Sequence, residues 1–230
     1  MQIVNFNLVK NKPHYVKALI YGQAGAGKTR FAADADKPFW FDFESSTETL
    51  RHWPEYSDIP VKHPASITEL FSDIQKAVRD PDIGTVVIDS VTTALDYYMR
   101  AEAEKRASKR DKYAFWEADY KYATQVFTDL FGVLQEAPLN VVIIGHERVS
   151  INPENNRVNG IYPDITPRLQ QAITRLVNVV GYMQAKPAGI KGETVRRLYL
   201  NRTEIIEAKN RLNIQDTYIE QPEWKLIFND

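Results

Sequence analysis

The 230 residues include no cysteine, which removes disulfides, thiolate zinc sites and a thiol nucleophile. They also carry almost no net charge. With 29 Lys and Arg against 30 Asp and Glu, the balance is −1, so any nucleic-acid partner must be met by a local basic face rather than the whole surface. No apolar run approaches the roughly 20 residues that span a bilayer. The opening Met1-Gln2-Ile3-Val4-Asn5 lacks a basic segment followed by an apolar one, and a cytoplasmic location is the expectation. Internal repeats and low-complexity segments are absent as well. The remaining composition, 43% apolar and 26% charged, is that of an ordinary globular chain. Its length suits one α/β domain over 15–230, preceded by a short alternating lead-in over 1–14 that reads as an edge strand.

One stretch organises the rest. Gly22-Gln23-Ala24-Gly25-Ala26-Gly27-Lys28-Thr29 follows the apolar run Tyr15–Tyr21 and precedes Arg30-Phe31-Ala32-Ala33, which continues as a helix. Glycines at these spacings let the backbone curl until successive N–H groups point at phosphate oxygens. Lys28 then reaches the β- and γ-phosphates as a point charge, and the Thr29 hydroxyl holds Mg²⁺. The helix that continues over Arg30–Ala33 turns its N-terminal dipole toward the same anion. ATP and Mg²⁺ are therefore the expected cofactors.

Further strands close on polar residues. In Phe39-Trp40-Phe41-Asp42-Phe43-Glu44, period two puts the three Phe on one face and Trp40, Asp42 and Glu44 on the other. Glu44 is then either a base that activates water or an acid capping the following turn. Thr85-Val86-Val87-Ile88-Asp89 is an aliphatic strand ending in an acid, suited to hold Mg²⁺ or its water opposite Thr29. Asn140–Gly145 leads to His146, which is either a sensor of the γ-phosphate or a satisfied, half-buried histidine. Ser66-Ile67-Thr68-Glu69 has the form of a capping box opening a helix to about Arg79.

Residues 91–137 read as two helical pieces around a charged middle. Lys105, Arg106, Lys109, Arg110 and Lys112 stand beside Tyr113, Phe115 and Trp116, a pattern that suits a single-stranded nucleic acid and equally a solvated helix face. Residues 147–167 form a long irregular loop. A helix from Pro167 and a hairpin of strands over 177–184 and 194–200 follow, and then Lys209 and Arg211, two cations one residue apart.

Taken in order, the phosphate loop, Phe41-Asp42-Phe43-Glu44, Val86-Val87-Ile88-Asp89-Ser90-Val91, the strand ending at His146 and Lys209-Asn210-Arg211 resemble the RecA-type recombinase ATPase core. The resemblance runs over roughly 15–212 and is narrower to small phage-encoded, core-only RecA-like proteins of recombination and single-strand annealing. It implies a mainly parallel sheet with flanking helices and a C-terminal antiparallel hairpin. It also implies Glu44 as the residue that polarises the attacking water, and His146 where RecA has Gln. Lys209 and Arg211 would reach a neighbouring subunit's ATP, so self-association into a ring or filament is expected. The loops at 104–116 and 147–166, the latter with Arg148 and Arg157, would face single-stranded DNA. Two alternatives stand beside this reading: a nucleotide-switched annealing module with little turnover, and a P-loop kinase acting on a small molecule.

Overall fold

The computed structural model describes residues 15–105, 117–188 and 193–228. The lead-in over 1–14 lies outside them. Strand β1 (Lys17–Gly22) is buried at every position and runs into the phosphate loop, followed by α1 (Lys28–Ala33). Then come β2 (Pro38–Asp42), short 3₁₀ turns at Ser46–His52 and Pro54–Tyr56, and β3 (Val61–Lys62). Helix α2 (Ile67–Ala77), β4 (Thr85–Asp89), α3 (Val91–Lys105), α4 (Glu117–Glu136) and β5 (Asn140–Gly145) complete the first part.

The capping box forms with a one-residue offset. Ser66 Oγ accepts from Glu69 N at 3.1 Å, but the Glu69 carboxylate reaches Ala65 N at 2.8 Å instead of the N-cap amide.

Residues 147–163 are not irregular. They form a two-stranded antiparallel hairpin, β6 (Glu147–Ile151) and β7 (Val158–Pro163), with a bulge at Ser150/Ile151. Val149-Ser150-Ile151 alternates, but Asn152-Pro153-Glu154-Asn155-Asn156 and the Gly160 and Pro163 of β7 are turn residues, so the stretch reads as a loop. Helix α5 (Pro167–Leu176) follows, N-capped by Thr166 with Pro167 in its first turn. The chain ends with β8 (Val179–Ala188), β9 (Glu193–Tyr199), β10 (Lys209–Asn210), β11 (Tyr218–Glu220) and α6 (Trp224–Phe228).

The main sheet has the order β11-β9-β8-β1-β5-β4-β2-β3, with β10 paired to β8. Its strands from β8 through β3 are parallel, and β9, β10 and β11 are antiparallel additions at one side. The expected mixed α/β architecture with an antiparallel hairpin is thus present.

Period two divides β1 cleanly. Leu19 and Tyr21 join Phe41, Ile88 and Ile143 in a core covered by α2, α3, α4 and α5. Ala18 and Ile20 join Trp40, Val87 and Ile144 in a second core closed by Phe31 of α1 and Trp224 of α6. With both faces covered, the central strands read as near-continuous apolar runs. Their carboxyl ends open on one side, and polar residues gather there. Among the described residues, no helix is long and apolar enough to cross a membrane.

Candidate phosphate-binding site

The loop between β1 and α1 has the conformation its glycines permit. Gly22 ends β1 with φ +152°, and a Cβ there would sit 2.1 Å from the Met183 carbonyl oxygen of β8. Gly27, with φ +101°, immediately precedes α1, and a Cβ there would sit 2.7 Å from Arg196 Nε. Between them Ala26 is buried in the second core, while Gln23, Ala24 and Gly25 lie exposed at the tip.

Lys28 is buried, and its amine donates to the carbonyls of Gly22 and Gln23, both at 2.8 Å. Burial pulls its pKa down, and the carboxylates of Asp89 and Glu44 counter part of that. The lysine therefore rests against its own loop within a cavity of about 450 Å³, whose walls include Gly25, Thr29, Glu44, Asp89 and His146. Arg30, one step further on, is exposed and lies 5.1 Å from the Trp53 ring.

The acids that end β2 and β4 divide their work. Asp42 caps the turn that follows it: its carboxylate accepts from the amides of Glu44 at 2.9 Å, Ser46 at 3.2 Å and Thr47 at 3.0 Å. Burial would raise this carboxyl, but the Thr47 hydroxyl, donating to Oδ2 at 2.6 Å, and these amides prevail and hold it below the usual carboxylate range. Asp42 is thus the turn cap, which leaves Glu44 facing the cavity.

Glu44 Oε1 accepts from the hydroxyls of Ser90 and Thr93 and lies 2.7 Å from His146 Nε2. Burial alone would raise this carboxyl, but the three hydrogen-bond partners prevail and hold it at about 2. In return, the bond to Glu44 raises His146 against the opposite pull of burial. Asp89 differs in kind. Burial pushes it up to about 6, despite Ser46 Oγ at 2.5 Å and Thr29 Oγ1 at 3.2 Å, with Glu44 and Asp42 adding repulsion.

Two hard oxygen donors, Thr29 Oγ1 and Asp89 Oδ2, stand together beside the loop. That donor set fits Mg²⁺, which takes one or two protein oxygens and fills its shell with waters and phosphate oxygens. Among the described residues, no group of three or more His, Asp or Glu forms an all-protein cage.

The remaining expected residues fall elsewhere. Lys209 does not extend outward. Its amine donates to the carbonyls of Thr174 and, at 2.7 Å, Val177, at the C-terminal end of α5. Burial, with help from the nearby Arg211 charge, lowers it to about 8. Arg211 itself is exposed. Lys105 ends α3 and pairs with Glu102 at 2.5 Å, whereas Arg106, Lys109, Arg110 and Lys112 lie outside the described residues. Arg148 and Arg157 are exposed on the β6–β7 hairpin.

Sequence reasoning missed Ser46, Ser90, Thr93 and Arg196. The first three were within reach of it, because hydroxyls crowd the turns straight after β2 and β4. Arg196 carried no local signal, being far from Gly27 along the chain and brought there only by strand pairing.

Comparison with known proteins agrees with this architecture. The AAA domain family (AAA_24) matches residues 14–212, and the chain belongs to that family. It is a P-loop ATPase domain with a RecA-like, KaiC-type fold. Among solved structures, a KaiC-like protein of the hyperthermophilic archaeon Pyrococcus horikoshii OT3 superposes with a TM-score of 0.51. Identity is 14%, over 91% of this chain and 85% of that one, a likeness of fold. No curated protein matches the sequence.

Proposed function

We propose that the protein binds ATP with Mg²⁺, hydrolyses it and couples turnover to single-stranded DNA in recombination or annealing, as a self-assembling RecA-like ATPase. The observation that carries this reading is the Glu44 carboxylate, fixed by Ser90, Thr93 and His146 beside the cavity of the phosphate loop. A carboxylate held ionised and fixed in direction can accept a hydrogen bond from water and aim it at a phosphorus atom. His146, bonded to that carboxylate, would link the water position to the β6–β7 hairpin that follows it, where Arg148 and Arg157 meet solvent. Thr29 and Asp89 would hold Mg²⁺, which neutralises charge on the phosphates.

Head-to-tail assembly gives Arg211 its role as the exposed member of the cation pair, stabilising charge in a neighbour's site, while Lys209 fixes the strand that carries it. Basic residues over 105–112 and on the hairpin would supply the DNA backbone contacts.

The deciding measurement is the ATPase rate with and without single-stranded DNA at two salt concentrations. Stimulation by DNA that fades as salt rises is expected, because phosphate contacts release counterions. A rate indifferent to both leaves an ATPase without a DNA partner. Mixing Arg211→Ala with Glu44→Gln tests assembly: recovered turnover requires an interface joining one intact finger to one intact Glu44.

A further inference from the structure

Strand register delivers one residue to the phosphate loop that neither its spacing nor the nucleotide motifs point to. Gly22 of β1 pairs with Met183 of β8, and Met183 pairs with Leu198 of β9. Because β9 runs antiparallel, Arg196 lies two residues beyond Leu198 in the direction in which β1 ends, opposite Ala185. Leu198 belongs to the core under α1, and period two puts Arg196 on that same face, over the loop.

The contact is close. A Cβ on Gly27 would meet Arg196 Nε at 2.7 Å and Cδ at 2.8 Å, so the stem of the arginine lies directly across the glycine. Its neighbour Arg197 faces the other way and pairs with Glu220 at 2.7 Å. Arg196 makes no ion pair among the described residues, and its Nε is buried without a hydrogen-bond partner. A buried, unpaired donor on a cation is costly unless something meets it.

Arg196 also borders two cavities. One is the loop cavity with Lys28 and Glu44, and the other, of about 480 Å³, has Phe31, Asp34, Tyr56 and Gln221 in its walls. Gly27 and Arg30 are shared by both.

We propose that Arg196 is a nucleotide-binding residue supplied by the same chain as the phosphate loop, donating to phosphate oxygens where the two cavities join, with the nucleoside entering the second. A planar guanidinium offers the fork that matches phosphate, and an anion laid along the loop amides would give the unpaired Nε its acceptor. The inference rests on the nucleotide reading of the loop. It makes binding a property of one chain, separate from the contribution of Arg211 across an interface.

Calorimetric titration of ADP with Mg²⁺ into wild type, Arg196→Gln and Arg196→Lys tests it. Arg196→Gln is expected to weaken ADP roughly tenfold or more, as loss of a charge-assisted hydrogen bond does, and Arg196→Lys to recover part of that. The nucleotide-free melting temperature should not fall, because the guanidinium Nε has no protein partner to lose. Wild-type uptake with an unchanged Arg196→Gln affinity would overturn this assignment alone. No uptake by folded wild type would overturn both it and the nucleotide reading. Phenylglyoxal modification of wild type, mapped by peptide mass, gives a reading independent of variant folding. ADP should shield Arg196, and undiminished labelling at saturating ADP would sink the proposal.

Discussion

The carboxyl ends of β1, β2, β4 and β5 and the segment around Lys209 both bury charged groups, with opposite consequences. At the strand ends, Asp89 is pushed up to about 6 by burial and Lys28 is pulled down, and each stands in the wall of an open cavity. Such groups are held in place at some expense to the fold, as sites that await a ligand are. Lys209 instead closes the end of α5, where carbonyls without helical partners favour a cation. The same residue type thus rests against a glycine loop in one place and fastens a helix end in the other. Substitutions at the two places should therefore differ in what they damage.

The largest effect is expected at Glu44. Glu44→Gln should cut turnover by roughly 10²–10⁴-fold, the range for loss of a positioned base, with ATP affinity changed little. Steady-state rates and equilibrium binding on the same preparation check this. Unchanged turnover would mean that the carboxylate merely ties Ser90, Thr93 and His146 together, and the contrast between the two regions would lose its main support.

Asp89 gives a prediction about stability with a definite sign. Its folded pKa of about 6 lies above the unfolded 3.8, so the folded state binds the extra proton between those values. As pH rises through that window stability drains away, and above about pH 6 the charged form costs on the order of 3 kcal/mol. Asp89→Asn should accordingly unfold at higher denaturant than wild type at pH 7, and the advantage should vanish below about pH 4. Glu44, held at about 2, contributes the other way: its stabilisation is present above the unfolded value and is lost as pH falls toward 2. Denaturant melts of Asp89→Asn and Glu44→Gln at pH 4 and pH 7 should therefore move in opposite directions. Parallel shifts would show that the two carboxylates are not distinguished by their surroundings.

Much of this was legible beforehand for physical reasons. A glycine loop between an apolar strand and a helix is a local signal, and the strands ending at Asp89 and Gly145 announce themselves as buried aliphatic runs. The β6–β7 hairpin was not legible, because turn residues Asn152–Asn156 and the Gly160 and Pro163 within β7 break a strand pattern that only the pairing of the two strands restores. Whether Glu44 is a base or a cap of the following turn was open, because a strand-terminal acid suits either and the sequence does not say which acid takes the turn amides. Only the hydrogen bonds of the turn at 44–47 decide it. The β8–β9 hairpin was legible, but the place of Arg196 over the loop depends on β8 pairing with β1, and the inward turn of Lys209 on β10 pairing with β8, long-range contacts that no window of residues reports.

The smallest effects separate Lys209 from Arg211 and sharpen the contrast between the regions most finely. Lys209→Met keeps most of the apolar stem but leaves the carbonyls of Thr174 and Val177 without their donor, a loss of about 1–3 kcal/mol for buried acceptors. Burial already strains the charged amine, which offsets part of that loss, so the result should fall in the lower half of the range. Arg211→Ala, at an exposed position, should leave the unfolding free energy within about 0.5 kcal/mol of wild type. If assembly proceeds as proposed, the same Arg211 variant should still lose turnover at concentrations where the chains associate. The pair then differs in stability: Lys209→Met should lose stability and, through the strand it fixes, some rate, whereas Arg211→Ala should lose rate alone. Should Lys209→Met melt like wild type, its amine is not fastening α5, and the residue returns to the cavity of a neighbouring chain as the better account.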